Sequence, residues 1–259
     1  MHVDLVDQYH HRSSTLHRLD PRVKVLLALL YVLTVSLTPH GAWLAFAAYL
    51  ALVLAGALTA ELGIGFTLRR SIVVLPFALA ALAIPFVTPG PVMFEVPILG
   101  WTVSGPGLLR FLSILLRMWL AVQGVILLMA TTRFSDLLWG LRGLRFPQTL
   151  VATIGFMYRY LFVLADEALR MMRARAARSP RSVGVPGPSL RWQGRVAGSM
   201  VGGLFLRSLE RSERVFGAMA SRGYDGRMRS LASFSMVGLD WIFLVGVLLY
   251  LALILSMVV

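Results

Sequence analysis

The sequence lacks cysteine altogether, and Lys24 is its only lysine. Without cysteine the chain cannot form disulfides, thiolate metal centres or a cysteine nucleophile. Lys24 follows Val23 and not a glycine, so the GxxxxGK[ST] phosphate-binding loop is excluded as well. The chain therefore does not hydrolyse ATP by itself through such a loop.

Charged residues are also scarce, at 14% of the 259 residues against 58% hydrophobic ones, and the mean hydropathy is +0.76. Soluble domains have roughly 25% charged residues, so a membrane protein is indicated. A membrane-spanning helix needs about 20 mainly apolar residues. Five stretches qualify: Val25–Thr38, Ala42–Ala60, Ile72–Val87, Leu108–Thr132 and Trp241–Val259. The sequence thus predicts an all-α, polytopic membrane protein with about five transmembrane helices, the third of them kinked or broken by Pro76 and Pro85.

The distribution of basic residues predicts the orientation in the membrane. Four basic residues precede the first span, and Arg69 and Arg70 separate the second from the third. The connections 39–41 and 88–107 contain no lysine or arginine. By the positive-inside rule, we expect a cytoplasmic N-terminus and a C-terminus on the outer side.

Residues 133–239 form an unusually basic segment between the fourth and fifth spans. It holds 17 of the 25 basic residues and six acidic ones, and thus carries +11 of the formal net charge of +13. We expect three cytoplasmic helical pieces, 135–145, 148–178 and 189–222, because the prolines of residues 179–188 interrupt a continuous helix. The stretch 149–164 is apolar but contains Arg159, which would cost about 3 kcal/mol near the bilayer centre. We interpret it as a helix buried on the cytoplasmic side, not as a sixth span.

These boundaries divide the chain into four parts. They are a cytoplasmic N-terminal tail (1–24), a four-helix transmembrane region (25–132), the basic cytoplasmic segment (133–239) and a C-terminal transmembrane helix (240–259).

A search for catalytic, cofactor-binding or metal-binding patterns predicts no such residues. Four of the five histidines crowd the N-terminal tail, and neither an HExxH nor a GxSxG pattern occurs. In the predicted spans, Arg110 and Arg117 are the notable ionisable residues, and their spacing of seven places them on one helix face. They could face a partner, a lipid headgroup or a backbone carbonyl, and we favour snorkelling or pairing within the helix bundle.

Two helices of the basic segment end in the same way, at Ala177-Arg178-Ser179 and at Ser221-Arg222-Gly223. An arginine at a helix C-terminus is stabilised by the helix dipole, and glycine is the commonest residue after the last turn. Two such endings in one cytoplasmic segment also suit docking into acidic grooves of another protein, because arginine binds carboxylates through two parallel hydrogen bonds.

The second of these helices has further features of a binding helix. Apolar residues recur on one face at Phe205, Leu209, Phe216 and Met219, and Glu210 and Arg214 are placed for an ion pair. Upstream, small residues four apart would let two helices cross closely, at Gly194, Gly198 and Gly202. The pattern predicts two helices that cross tightly and end in arginines.

Three stretches in this order resemble a known family. They are residues 16–24 (LHRLDPRVK), Arg159-Tyr160 with Glu167 leading to Ala177-Arg178-Ser179, and residues 213–226 (ERVFGAMASRGYDG). Together they resemble the T component of energy-coupling-factor (ECF) transporters, in its cobalt-type variant CbiQ. The family has Ala-Arg-Gly at both helix endings, so the likeness depends mainly on Arg178 and Arg222.

The resemblance implies a non-catalytic scaffold in a bacterial cytoplasmic membrane that couples ATPase motion to uptake of cobalt, or of nickel. Two long coupling helices would cross in an X. The ATPase-coupling residues would be Ala177, Arg178, Ser179, Ser221, Arg222 and Gly223, with supporting roles for Arg159, Glu167, Glu213, Arg214 and Met219.

The implied partners are two ATP-binding cassette subunits, a CbiM-like substrate-binding membrane S component and a small CbiN-like accessory subunit, besides membrane lipid. The chain itself would bind no cofactor and no nucleic acid. The alternative is a membrane-anchored basic protein that binds anionic lipid or nucleic acid, for which binding should fall steeply with salt.

Overall fold

The computed structural model describes residues 14–63, 65, 71–96, 101–178, 189–226 and 235–257. These residues belong to two compact units. The larger unit contains the described parts of residues 5–144 and 232–259, and the smaller unit contains those of residues 145–231.

The larger unit consists mainly of apolar helices. In chain order its elements are α1 (Thr15–Arg18), α2 (Pro21–Leu37), α3 (Trp43–Thr59), a 3-10 turn (Ser71–Val74), α4 (Leu75–Ala81), α5 (Ile84–Val87), β1 (Val92–Val96), β2 (Trp101–Ser104), α6 (Gly105–Thr131) and α7 (Phe134–Gly143). The smaller unit contributes α8 (Gln148–Arg178) and α9 (Leu190–Ser221), after which α10 (Gly238–Ser256) belongs again to the larger unit. The all-α class is thus confirmed, apart from one small hairpin.

The start of α2 is set by a cap and a proline. The Asp20 side chain accepts a hydrogen bond from the Arg22 N–H at 2.8 Å, and Pro21 occupies the first helical position, where no hydrogen-bond donor is needed. For this reason α2 begins four residues before Val25, where the apolar pattern had placed the span.

The third apolar stretch is broken, as its two prolines predicted. The 3-10 turn is followed by α4, which has Pro76 in its first turn, and by α5, which has Pro85 in its first turn. The strands β1 and β2 then pair antiparallel, with an irregularity between Val92 and Phe94. The sequence had indicated only a connection there.

The core of the larger unit lies where α2, α3, α6 and α10 meet. Tyr31 and Tyr49 pack edge to face with their ring centroids 5.8 Å apart, and Leu120 and Ile254 are almost fully buried beside them. Large exposed residues such as Leu33, Leu44 and Leu249 lie on the outer sides of the same helices. An apolar surface of this kind suits a lipid environment.

Among the described residues, three helices are long and apolar enough to cross a membrane: α6, α8 and α10. The helix α3 and the stretch 71–87 are apolar but shorter. The most apolar window of α8 has a mean hydropathy of 1.3, against 2.0 in α6 and 2.3 in α10. That its apolar half lies on the cytoplasmic side stays a prediction.

Candidate functional site

The smaller unit presents the two long helices that the basic segment predicted. The bounds of α8 agree with the predicted piece 148–178, and those of α9 differ from 189–222 by one residue at each end. The first piece, predicted at 135–145, is α7 at Phe134–Gly143, and it belongs to the larger unit.

An ion pair joins α8 to α9. The Arg207 Nη1 atom lies 2.7 Å from the Glu167 Oε1 atom, and the Arg170 Nε atom lies 3.9 Å from Glu167 Oε2. Glu167 is therefore shared between a cation of its own helix and one of the neighbouring helix. The Arg175 guanidinium also lies over the Trp192 ring, 5.5 Å from its centroid. Because Glu167 pairs with Arg207 and Arg175 with Trp192, the two helices run antiparallel.

The glycines predicted for the helix crossing do not contact α8 within the described chain. A Cβ atom at Gly194, Gly198 or Gly202 would meet no atom of the described chain within 4 Å. The neighbouring Gly203 is the glycine that approaches α8, since a Cβ there would lie 3.7 Å from Met171 Cε. Within the described residues the approach thus lies one residue beyond the predicted stripe, and the role of the stripe in a helix crossing stays a prediction.

The end of α9 has the glycine cap that its sequence predicted. Gly223 has a φ of +78°, its N–H donates to the Ala220 carbonyl at 3.0 Å, and the Tyr224 N–H donates to the Met219 carbonyl at 3.0 Å. This pair of hydrogen bonds is a Schellman motif, which satisfies the last carbonyls of the helix. Arg222, between the helix and Gly223, is exposed.

The end of α8 likewise presents an arginine to solvent. Ala177 and Arg178 are exposed in its last turn, where a cation interacts favourably with the helix dipole. Ser179, the third residue of this predicted ending, lies outside the described residues. Arg178 also lines an open cleft of about 440 Å³ between the two helices, together with Arg170, Arg175 and Arg207.

The supporting residues of the predicted site are spread along both helices. Arg159 and Glu213 are exposed, and Met219 is half-buried. Arg214 forms the expected pair with Glu210, at 3.8 Å, but both side chains are about two-thirds exposed. An exposed pair of this kind contributes about 0–1 kcal/mol.

The apolar face of α9 is largely uncovered within the described chain, although Met219 is half-buried. No residue of α9 is buried, and Phe205 and Phe216 are each 63% exposed. Apolar residues at helical spacing normally pack against something, so this face is suited to lipid or to another protein.

In the larger unit, Arg117 pairs with the backbone, one of the alternatives that the sequence had left open. Its Nη2 atom donates to the Thr38 carbonyl at 2.5 Å, directly after the end of α2. His40 lies beside it, and burial together with the Arg117 and Arg110 guanidinium groups lowers the pKa of His40. Among the described residues, no group of three or more histidine and carboxylate side chains could hold a metal ion.

Comparison with known proteins identifies the class of protein to which this chain belongs. A family model described as "CbiQ: Cobalt transport protein" matches residues 12–234. The chain is 30% identical over 160 residues to the "Cobalt transport protein CbiQ" of Rhodobacter capsulatus, covering 60% of this chain and 62% of that protein. It is 27% identical over 236 residues to the "Energy-coupling factor transporter transmembrane protein EcfT" of Listeria innocua, covering 86% and 85%. It is also 30% identical over 134 residues to the "Nickel permease LarQ" of Lactiplantibacillus plantarum, covering 52% and 45%.

The matches define a multi-pass, non-catalytic transmembrane subunit of a transporter. The chain belongs to the CbiQ/EcfT family, the T components of ECF transporters. The family implies partnership with ECF ATPases and with a substrate-binding S component. This assignment replaces the alternative of a membrane-anchored binder of lipid or nucleic acid.

Proposed function

We propose that α8 and α9 are the coupling helices of this T component and that each docks, through its terminal arginine, on one of two ATPase subunits. The observation that carries the proposal is the pair of exposed arginines, Arg178 and Arg222, at the ends of two antiparallel helices joined by an ion pair. A guanidinium group at the end of a helix can enter an acidic groove and bind a carboxylate through two hydrogen bonds. The residues beside the two arginines are small, so that each helix end would fit into a narrow groove; they are Ala177, Ser179, Ser221 and Gly223.

In the proposed cycle, closure of the ATPases on ATP moves the two helix ends, and the scaffold passes this movement to the S component. Glu167 contributes by holding α8 against α9, so that the two helices and their arginine endings move together. Arg159, Glu213, Arg214 and Met219 would line the docking surfaces beside the endings. The chain itself supplies no chemical step.

The proposed substrate is a cobalt ion, with nickel as the second candidate. The support comes from relatives named for cobalt transport and for nickel permeation. A CbiM-like S component and a small CbiN-like subunit would accompany the chain, in a bacterial cytoplasmic membrane.

We also propose the four-part division at residues 24, 132 and 239. The distribution of basic residues supports an N-terminus in the cytoplasm and a C-terminus outside.

The test is recovery of the ATPases with tagged T component from detergent-solubilised membranes in which all subunits are co-expressed. Hydrogen bonds to charged groups contribute about 1.5–3 kcal/mol, so Arg178→Ala or Arg222→Ala should each weaken recovery about tenfold or more. The matched controls are Arg173→Ala in α8 and Arg195→Ala in α9, which remove exposed arginines away from the endings. If both terminal variants assemble and couple like the controls, the docking proposal is wrong.

The substrate is tested separately, by uptake of radioactive Co²⁺ and of radioactive Ni²⁺ into cells that express the complete complex. Uptake of one ion that is lost when the ATPases are omitted assigns the substrate. Uptake of neither ion would overturn the metal proposal and leave the coupling proposal intact.

A further inference from the structure

The stretch Asp20–Lys24 is a junction of several helices in the larger unit, although the proposed docking function does not use it. The Asp20 N–H donates to Asp240 Oδ1 at 3.0 Å, and the Val237 N–H donates to Asp240 Oδ2 at 2.8 Å. Both aspartates are almost fully buried, at 3% and 4% exposure. One carboxylate therefore ties the first residue before α2 to the first turn of α10.

Lys24 ties α2 to two further helix ends. Its buried Nζ atom donates to the His17 carbonyl in α1 at 3.1 Å and to the carbonyl of Thr131, the last residue of α6, at 3.2 Å. The carbonyls at a helix C-terminus carry partial negative charge, so an ammonium group placed between two such ends stabilises both. The carboxylates of Asp20, Asp136 and Asp240 also face this ammonium group.

Arg22 joins the junction to α7. Its guanidinium lies over the Trp139 ring at 4.3 Å from the centroid. Two glycines let α7 approach the first turn of α2: a Cβ at Gly140 would lie 3.1 Å from the Pro21 carbonyl, and one at Gly143 would collide with the Arg22 side chain. The first turn of α2 and the helix α7 are therefore in close contact at these two glycines.

We propose that this junction, formed by Asp20, Arg22, Lys24, Trp139 and Asp240, passes the movement of the coupling helices to the membrane helices, with Arg22 and Trp139 as its positioning residues. The chain itself supplies the connection to α8, since only residues 144–147 separate α7 from it. A displacement of α7 reaches α2 through the Arg22–Trp139 stack. From α2 it reaches α6 through Lys24 and α10 through Asp240. The inference rests on the proposed coupling function of α8 and α9.

The test compares ATP hydrolysis with ion uptake in the same complex, reconstituted in proteoliposomes and supplied with Co²⁺ or Ni²⁺. Arg22 and Trp139 are both half-buried, and a cation–π contact corresponds to an effect between about twofold and thirtyfold, depending on its exposure. We therefore expect Arg22→Gln and Trp139→Leu each to lower uptake per ATP hydrolysed about tenfold, while recovery of the ATPases stays unchanged and the complex remains folded, as its melting transition checks. Trp139→Phe, which keeps an aromatic face, should stay close to wild type. Trp241→Leu, which removes an exposed tryptophan of α10, is the matched control.

A double variant shows whether the movement passes through the contact between Arg22 and Trp139 or whether the two residues affect uptake independently. If Arg22 and Trp139 act together, Arg22→Gln with Trp139→Leu is no worse than either single change. Losses that multiply, or uptake per ATP that stays at the wild-type value, would overturn the inference. Should Trp139→Leu fail to fold, Gly143→Ala serves instead, because its methyl group displaces the Arg22 side chain, and the same loss is expected. A wild-type chain that recovers no ATPase overturns the proposed function, whereas an intact complex with unaffected variants overturns the junction alone.

Discussion

Glu167 in α8 and Arg207 in α9 form an ion pair with an N–O distance of 2.7 Å, although 40 positions separate them in the sequence. Their side chains are 21% and 61% exposed, so the pair lies at a partly hydrated surface. Since α9 buries none of its own residues, α9 is attached to α8 mainly by this pair, by the Arg175–Trp192 stack and by the close approach of Gly203 to Met171, among the described residues. The relative position of the two arginine endings thus depends on a small number of contacts.

Reversing the charge of one partner should test this dependence. We expect Glu167→Arg to lower coupled uptake, because it places two like charges at the contact, and Glu167→Arg with Arg207→Glu to restore most of it. The effect on the stability of the chain should be small, about 0–1 kcal/mol, because the pair lies at a partly hydrated surface. Uptake and the melting temperature are measured together. A double variant no better than Glu167→Arg alone would show that the ion pair does not set the helix geometry.

Gly203 and the adjacent stripe should respond differently to substitution. Gly203→Leu places a large side chain against Met171 and should push α9 away from α8, which lowers coupled uptake. A Cβ at Gly198 would meet no atom of the described residues within 4 Å, and leucine has a higher helix propensity than glycine, so Gly198→Leu should stabilise α9 slightly, by about 0.5–1 kcal/mol. Melting temperature and partner recovery are compared for both variants. Loss of a partner with Gly198→Leu but not with Gly203→Leu would mean that the stripe is a docking surface and Gly203 is not a helix contact.

The cap of α9 makes a prediction about the presentation of Arg222. Gly223→Ala introduces a Cβ atom at a φ of +78°, which should cost about 1 kcal/mol and fray the last turn. Hydrogen–deuterium exchange of residues 218–224 should become faster, and recovery of the ATPases should fall less than with Arg222→Ala. The control is Gly217→Ala, six residues upstream, where a Cβ would meet no atom of the described residues within 4 Å. Equal rates of hydrogen–deuterium exchange at residues 218–224 in the two variants would contradict a role for the Schellman motif.

Local patterns in the sequence were sufficient to predict most of the helices and their ends. The prolines of residues 179–188 and the Ser-Arg-Gly ending fixed α8 and α9 to within one residue, because capping and chain breaking are local effects. The broken third span followed from Pro76 and Pro85 in the same way. Asp20 and Pro21 are an equally local signal for the start of α2. The span was predicted from its apolar residues alone, and that pattern does not include the cap.

Contacts between distant residues could not be predicted in this way. The Glu167–Arg207 pair joins a half-buried carboxylate to an exposed arginine in a segment rich in arginine, and nothing local distinguishes Arg207 from its neighbours. The glycine period indicated a close approach but not which glycine makes it. The hairpin β1–β2 depends on pairing between two short strands, which a periodicity argument resolves poorly. Of the site residues, sequence could therefore place the helix endings, but not the contacts that hold the two helices together.

Arg117 supports a prediction about the connection between α2 and α3. Its guanidinium donates to the Thr38 carbonyl, which closes the end of α2, whereas the exposed Arg110 lies seven positions earlier on α6. We expect Arg117→Gln to lower the stability of the membrane unit by about 1.5–3 kcal/mol, because a hydrogen bond from a charged donor to a helix-terminal carbonyl is lost. Arg110→Gln is the matched control and should change stability by less than about 0.5 kcal/mol. Both variants are unfolded by heat in detergent with cobalt and nickel absent. Equal loss in the two variants would mean that general positive charge on this face of α6, and not the Arg117–Thr38 hydrogen bond, stabilises the connection between α2 and α3.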